Sequence, residues 1–240
     1  MYLNGIFMGN DIVIAPSLIC SDLCNLEKEV KLFESINLKY LHVDIIDPHF
    51  SPSMPIGLST VKQLRYKSNM SFDIHIMSTL NEFFIRELVD MSPNSIIFHY
   101  ETSLHTEKML QLIKERNIKT GIALNPATPI NVLEFIASNC DYILLMLINP
   151  GYADGKNEKI VPYALKKIKE LKKFLNKNNY SSKIMVDGRV SMDIIPNIIE
   201  AGAQIIVGGT GTIFRKGYSY IENCKEVSQI INKFQNMNNI

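Results

Sequence analysis

One alternation, repeated eight times, constrains this chain more than any other feature. A short β-branched or aromatic run is followed each time by a longer charged stretch with helical spacing. The runs are Ile12 to Ser17, Tyr40 to Ile45, Phe72 to Ile76, Ser95 to His99, Lys119 to Leu124, Tyr142 to Leu147, Lys183 to Asp187 and Gln204 to Gly209. Most read as near-continuous apolar segments, the pattern of strands covered on both faces in a parallel sheet. Parallel neighbours need a crossover, and the intervening stretches supply one. Eight such units in 240 residues, without a linker or a composition break, predict a single (β/α)8 barrel spanning 1–240. Residues 1–10 read as a short leader, and 235–240 as a polar, frayed tail.

The crossovers are predicted as helices. Leu23, Leu26, Val30 and Phe33 share one helical face, with Asp22 at its start. Further helices are expected near Thr60 to Tyr66, around Phe83 to Leu88, from His105 to Arg116 and from Pro129 through Phe135. Three more are expected from Ala164 to Asn176, from Met192 to Ala201 with Gly202 as its stop, and from Tyr220 to Phe234.

Composition narrows the partners. With 25 basic and 24 acidic side chains the formal net charge is +1, so no basic field points to nucleic acid. A hydrophobic fraction of 46% excludes a disordered chain. No stretch approaches the ~18 apolar residues of a membrane span, and the start, MYLNGIFMGND, lacks the pattern of a signal peptide. Cys20, Cys24, Cys140 and Cys224 fit neither a zinc ribbon nor a CxxC redox motif. They are expected to be reduced, as in the cytoplasm.

In a barrel of this kind chemistry collects at the carboxyl ends of the strands. His42 and Asp44 are two apart on one strand and so share a face, His75 holds the matching place on the next, and Asp187 ends the seventh. Two imidazoles and two carboxylates converging there predict a site for one divalent metal ion, with Zn, Fe, Mn or Co suited to mixed N/O donors. The glycines after strands seven and eight, Gly188 and Gly208-Gly209-Thr210, lie where barrels often hold a phosphate, because glycine lets backbone N–H groups approach an anion. The loop at Pro150-Gly151 could cover such a ligand. His49 and His99 read as structural.

The segments IAPSLICSDL from Ile14, YLHVDIIDPHFSPS from Tyr40, DIHIM from Asp73, NPGY from Asn149, VDGR from Val186 and AGAQIIVGGTGTIF from Ala201 resemble the ribulose-phosphate 3-epimerase family and its allulose-6-phosphate 3-epimerase relatives. The resemblance implies inversion at C3 of a ketose phosphate through a cis-enediolate, with Asp44 and Asp187 as the two proton-transfer groups. It implies a metal on His42, Asp44, His75 and Asp187, with Ser17, Met77 and Met146 lining the substrate. It also implies a homo-oligomer. The expected substrate is D-ribulose 5-phosphate, converted to D-xylulose 5-phosphate. D-allulose 6-phosphate is the alternative, and a ligand-binding barrel without turnover is a third reading.

The chain departs from the family pattern at its loops. Ile46 replaces a methionine and Pro48 a glycine after strand two, Ala153 to Lys156 alter the loop after strand six, and Arg189 stands where the pentose-phosphate members usually carry a second glycine. Arg189 could pair with phosphate. The loop from Val207 to Phe214 is one residue longer than the usual ribulose-phosphate pattern and looks more like the allulose-phosphate relatives.

Overall fold

A computed structural model describes residues 12–152 and 158–238. The leader at 1–10, the loop residues Ala153 to Lys156 and the last two residues of the tail lie outside them. Eight parallel strands form one sheet: β1 (Val13–Pro16), β2 (Tyr40–Ile46), β3 (Ser71–Met77), β4 (Ser95–His99), β5 (Lys119–Leu124), β6 (Tyr142–Met146), β7 (Lys183–Asp187) and β8 (Ile205–Gly208). Each strand from β2 to β8 pairs with its neighbours in chain order, and β1 pairs with β8. A parallel bridge between Ser17 and His42 joins the two ends, so the barrel closes next to the expected site.

Seven described helices pack outside: α1 (Leu26–Ser35), α2 (Leu58–Lys67), α3 (Asn81–Val89), α4 (Thr106–Lys114), α5 (Ala164–Lys177), α6 (Ile195–Ala201) and α7 (Tyr220–Asn238). Side chains alternate along each strand, giving two apolar regions. The larger lies between sheet and helices and includes Phe33, Phe72, Ile96 and Leu171. The smaller fills the barrel itself with Ile97, Ala123, Leu144, Met146, Met185, Ile205 and Val207. Its residues come mainly from β4 to β8. The interior positions of β2 and β3 carry polar groups instead.

Four expectations are corrected. The first helix starts at Leu26, because Asp22 is spent in a turn, accepting from the Cys24 N–H at 3.0 Å and from Asn25 Nδ2 at 2.7 Å. Leu23 therefore leaves the helical face and lines the cavity described below. No α-helix follows Pro129. Ile130–Leu133 and Ala137–Asn139 form 3-10 turns, matching the spacing of three between Ile130, Leu133 and Ile136. Only the second half of the stretch from Met192 is α-helical, after a 3-10 turn over Met192–Ile194, and Gly202 ends it in a left-handed conformation (φ 119°). Finally, α7 runs on to Asn238, with Gln235 buried, so the polar tail continues the helix rather than fraying at 235.

Candidate metal and active site

Register places the polar groups. His42 is the partner of Asp73 across β2 and β3, and Asp44 is the partner of His75. On the far side Met146 of β6 is the partner of Asp187 of β7. His42, Asp44, His75 and Asp187 each offer a ligand atom within 4.8 Å of the others. They stand at one end of the barrel, beneath a cavity of about 380 Å³ lined by Ser17, Asp44, Met77, Met146 and Asp187. A larger hollow of about 940 Å³, between the loops after β2, β5 and β6, includes His49 and Phe50 but none of those four.

Each imidazole is oriented from behind. His42 is fully buried, and its Nδ1 lies 2.9 Å from Asp73 Oδ2. Asp73 is a buried acceptor whose other oxygen takes the hydroxyl of Ser95. His42 therefore donates through Nδ1 and presents Nε2 to the site. That Nε2 finds no hydrogen-bond partner among the described residues, although Asp44 Oδ1 is 3.3 Å away. His75 Nδ1 lies 3.1 Å from the same oxygen, and Ser17 Oγ donates to Asp44 Oδ2 at 3.1 Å.

Charge follows this geometry. Burial alone would lower the His42 pKa, but Asp44 and Asp73 outweigh it and hold the value well above the ordinary imidazole range. Burial likewise opposes ionisation of Asp44, yet the adjacent His42 and His75 keep its carboxyl far below the usual carboxylate range. Burial, and then the charge of Asp44, push Asp187 upward. Burial pushes His75 down. Two carboxylates and two imidazoles with ligand atoms within 4.8 Å of one another form a donor set that could hold a metal ion. An orphaned buried Nε2 within that set fits a divalent cation.

The rim is built from loops. Gly151, Gly188, Arg189, Gly209 and Thr210 all line the cavity. Gly188 (φ 112°) and Arg189 (φ 54°) are both in the left-handed region, so Arg189 occupies a backbone state that glycine adopts freely and arginine does not. Gly211 is required by a close approach, since a Cβ there would lie 2.5 Å from the Val190 carbonyl oxygen. Gly208 does not line the cavity. It ends β8, and its carbonyl accepts the Ser17 N–H at 3.0 Å. No helix opens directly after Gly209. The N–H groups of Thr212 and Phe214 turn back onto the Gly209 carbonyl, and α7 begins only at Tyr220.

Sequence reasoning missed several neighbours of the site. Asp73 was signalled by its place two residues before His75, on the same strand face. Cys20 lines the cavity, as does Ile46, which stands where the family resemblance has a site-lining methionine, and burial pushes the Cys20 thiol up to about 11. His99, read as structural, contacts His75 directly, Nε2 to Nε2 at 3.0 Å. All four cysteines are free, and no described helix is long and apolar enough to cross a membrane.

Comparison with known proteins shows the family. The sequence model of the ribulose-phosphate 3-epimerase family matches residues 13–214. The ribulose-phosphate 3-epimerase of Bacillus subtilis is 33% identical over 220 residues, covering 91% of this chain and 98% of its own. That of Buchnera aphidicola is 33% identical over 213 residues, covering 88% and 92%. The Escherichia coli protein of that name is 30% identical over 210 residues, covering 87% and 92%. Among solved structures, a tryptophan synthase α-subunit from Pyrococcus furiosus superposes with a TM-score of 0.61 at 16% identity, covering 92% of this chain and 98% of its own. A phospho-2-dehydro-3-deoxyheptonate aldolase from Thermotoga maritima gives 0.66 at 15% identity, covering 100% and 74%. At that identity these two share the barrel fold alone.

Proposed function

We propose that this chain, which belongs to the ribulose-phosphate 3-epimerase family, interconverts D-ribulose 5-phosphate and D-xylulose 5-phosphate. Membership of that family makes it an isomerase of the epimerase type. The observation that carries the finer reading is the pair of carboxylates, Asp44 on β2 and Asp187 on β7, lining one cavity. Around the barrel their strands are separated by β1 and β8, which lets the groups approach a substrate from different sides.

Inversion at C3 needs a proton removed from one face and a proton delivered to the other. In one direction Asp44 takes the C3 proton, the electron pair passes to the C2 oxygen, and a cis-enediolate forms. Asp187 then delivers its proton to C3 from the opposite face. The reverse direction exchanges the roles. Ser17 holds Asp44 by its hydroxyl, and Met77 and Met146 line the cavity. One divalent cation on His42, Asp44, His75 and Asp187 would supply positive charge for the oxygen that becomes negative. Gly188, Arg189, Gly209 and Thr210 are assigned to the phosphate end. The free thiols fit the cytoplasmic setting expected from the sequence.

The test is direct. Metal-reconstituted protein in heavy water should exchange the C3 hydrogen of ribulose 5-phosphate and yield xylulose 5-phosphate. Absence of exchange would leave a binding protein without turnover. Competition between ribulose 5-phosphate and allulose 6-phosphate should give the former the higher kcat/KM. The opposite ranking would overturn the substrate assignment while leaving the chemistry in place.

A further inference from the structure

We propose that Glu101 and His99 form a positioning chain that fixes which ring nitrogen of His75 faces the metal. The inference rests on the metal reading above. Its geometry begins at Glu101, just beyond β4, whose Oε2 lies 3.2 Å from His99 Nδ1. His99 is the last residue of β4 and fully buried, and its Nε2 lies 3.0 Å from His75 Nε2. Phe50 covers the assembly from the loop after β2, its ring centroid 4.8 Å from that of His99.

The directions of the bonds follow from what each atom can do. An ionised carboxylate only accepts, so His99 must donate through Nδ1. With its ring proton on Nδ1, His99 offers the lone pair of Nε2, and His75 Nε2 donates to it. This leaves the lone pair of His75 on Nδ1, the nitrogen turned toward Asp44 Oδ1. Asp73 performs the same service for His42 in a single step, through the opposite nitrogen. The two ligands thus present different atoms because their supports come from different depths of the barrel. A histidine ligand typically donates its other ring N–H to such a partner, and loss of that partner costs about 10- to 100-fold in metal affinity.

Glu101 is itself held in place. Its Oε1 accepts the Asn125 N–H at 2.7 Å and the Thr128 hydroxyl, both on the segment after β5. Three donors converge on one carboxylate, which keeps it an acceptor for His99. His75 is thereby linked through His99 and Glu101 to a loop that bounds the neighbouring hollow.

The experiment measures Zn2+ and Co2+ affinity by chelator competition for the wild-type chain, His99→Phe, His99→Gln and Glu101→Gln. Long-range 1H–15N spectra of the Zn2+-loaded wild type read the histidine protons. We expect affinity to fall at least about tenfold in His99→Phe. His99→Gln, whose amide oxygen can accept the same proton, should recover part of the loss, and Glu101→Gln should lie between. The loaded wild type should show a slowly exchanging proton on His75 Nε2 and none on His99 Nε2. Affinity within twofold of wild type in a folded His99→Phe would overturn the proposal. So would a bare His75 Nε2 in the loaded wild type, a result that stands even if that variant fails to fold. Failure of the wild type to bind either metal would instead refute the metal reading, and this inference with it.

Discussion

On the floor of the cavity His42, Asp44 and His75 lie inside strands, side by side because the register of β2 and β3 makes them so. On the rim Gly188, Arg189, Gly209 and Thr210 sit on loops, and two of them hold left-handed backbone. The floor is buried and supported from behind by Asp73, Ser95, His99 and Glu101. Among the described residues, the departures Pro48 and Arg189 fall in loops, and Ile46 ends β2. Under the proposed function, such a division would leave proton transfer to the strands and selection of the sugar phosphate to the loops.

Mutation can break that division. The largest effect is expected on the floor, where Asp44→Asn or Asp187→Asn should reduce kcat by about 10³-fold with circular dichroism unchanged. Near-normal turnover in either would end the two-carboxylate scheme. Next, His75→Ala should weaken Zn2+ binding by about 100-fold or more in a chelator titration, since it removes a ligand rather than its support.

On the rim, Arg189→Gly removes a cation and relieves a strained φ of 54°. We expect KM for the sugar phosphate to rise about tenfold, the scale of one lost hydrogen bond to a charged group, with kcat nearly constant. A fall in kcat of the same size would show that floor and rim are not separate.

The smallest effect is one of pH. Burial alone would raise the Glu101 pKa, but hydrogen bonds from His99, Thr128 and Asn125 outweigh it and bring the carboxyl down from 4.5 to about 2. A group whose pKa falls on folding stabilises the fold above its unfolded value and loses that contribution as pH drops toward the folded one. The melting-temperature gap between wild type and Glu101→Gln should therefore be full above about pH 4.5 and close by about pH 2. A gap that stays constant across this range would show that the support of His75 does not depend on the Glu101 charge.

Much of this was legible from residues. Most of the eight strands announce themselves as near-continuous apolar runs, and period two puts His42 with Asp44 on one side of β2. The segment after β5 was misread as a helix because its apolar residues recur every three positions, a spacing that a short window does not separate from 3.6. Leu23 misled for a related reason: its hydrophobicity fits a helix face, and only the side chain of Asp22 shows the turn. His99 is visible in the sequence as a polar residue at a strand end, but nothing there separates it from a structural histidine. Its role depends on which atom of His75 it meets, and that depends on strand stagger rather than on spacing along the chain. Arg189 could be flagged as a departure from glycine, but its left-handed backbone is visible only in three dimensions.

The seam of the barrel has a consequence for synthesis. β1 finds its strand partner in β8, from Val13 with Ile205 to Pro16 with Gly208, and meets β2 only through the bridge from Ser17 to His42. A ribosome makes β1 first and β8 last, whereas β2 to β7 can pair in order of emergence. Ser17, whose hydroxyl holds Asp44, is thus anchored from β8, through the bond from its N–H to the Gly208 carbonyl, as well as by its bridge to His42. A chain interrupted before β8 would carry His42, Asp44, His75 and Asp187 yet lack the strand that anchors Ser17 beside them.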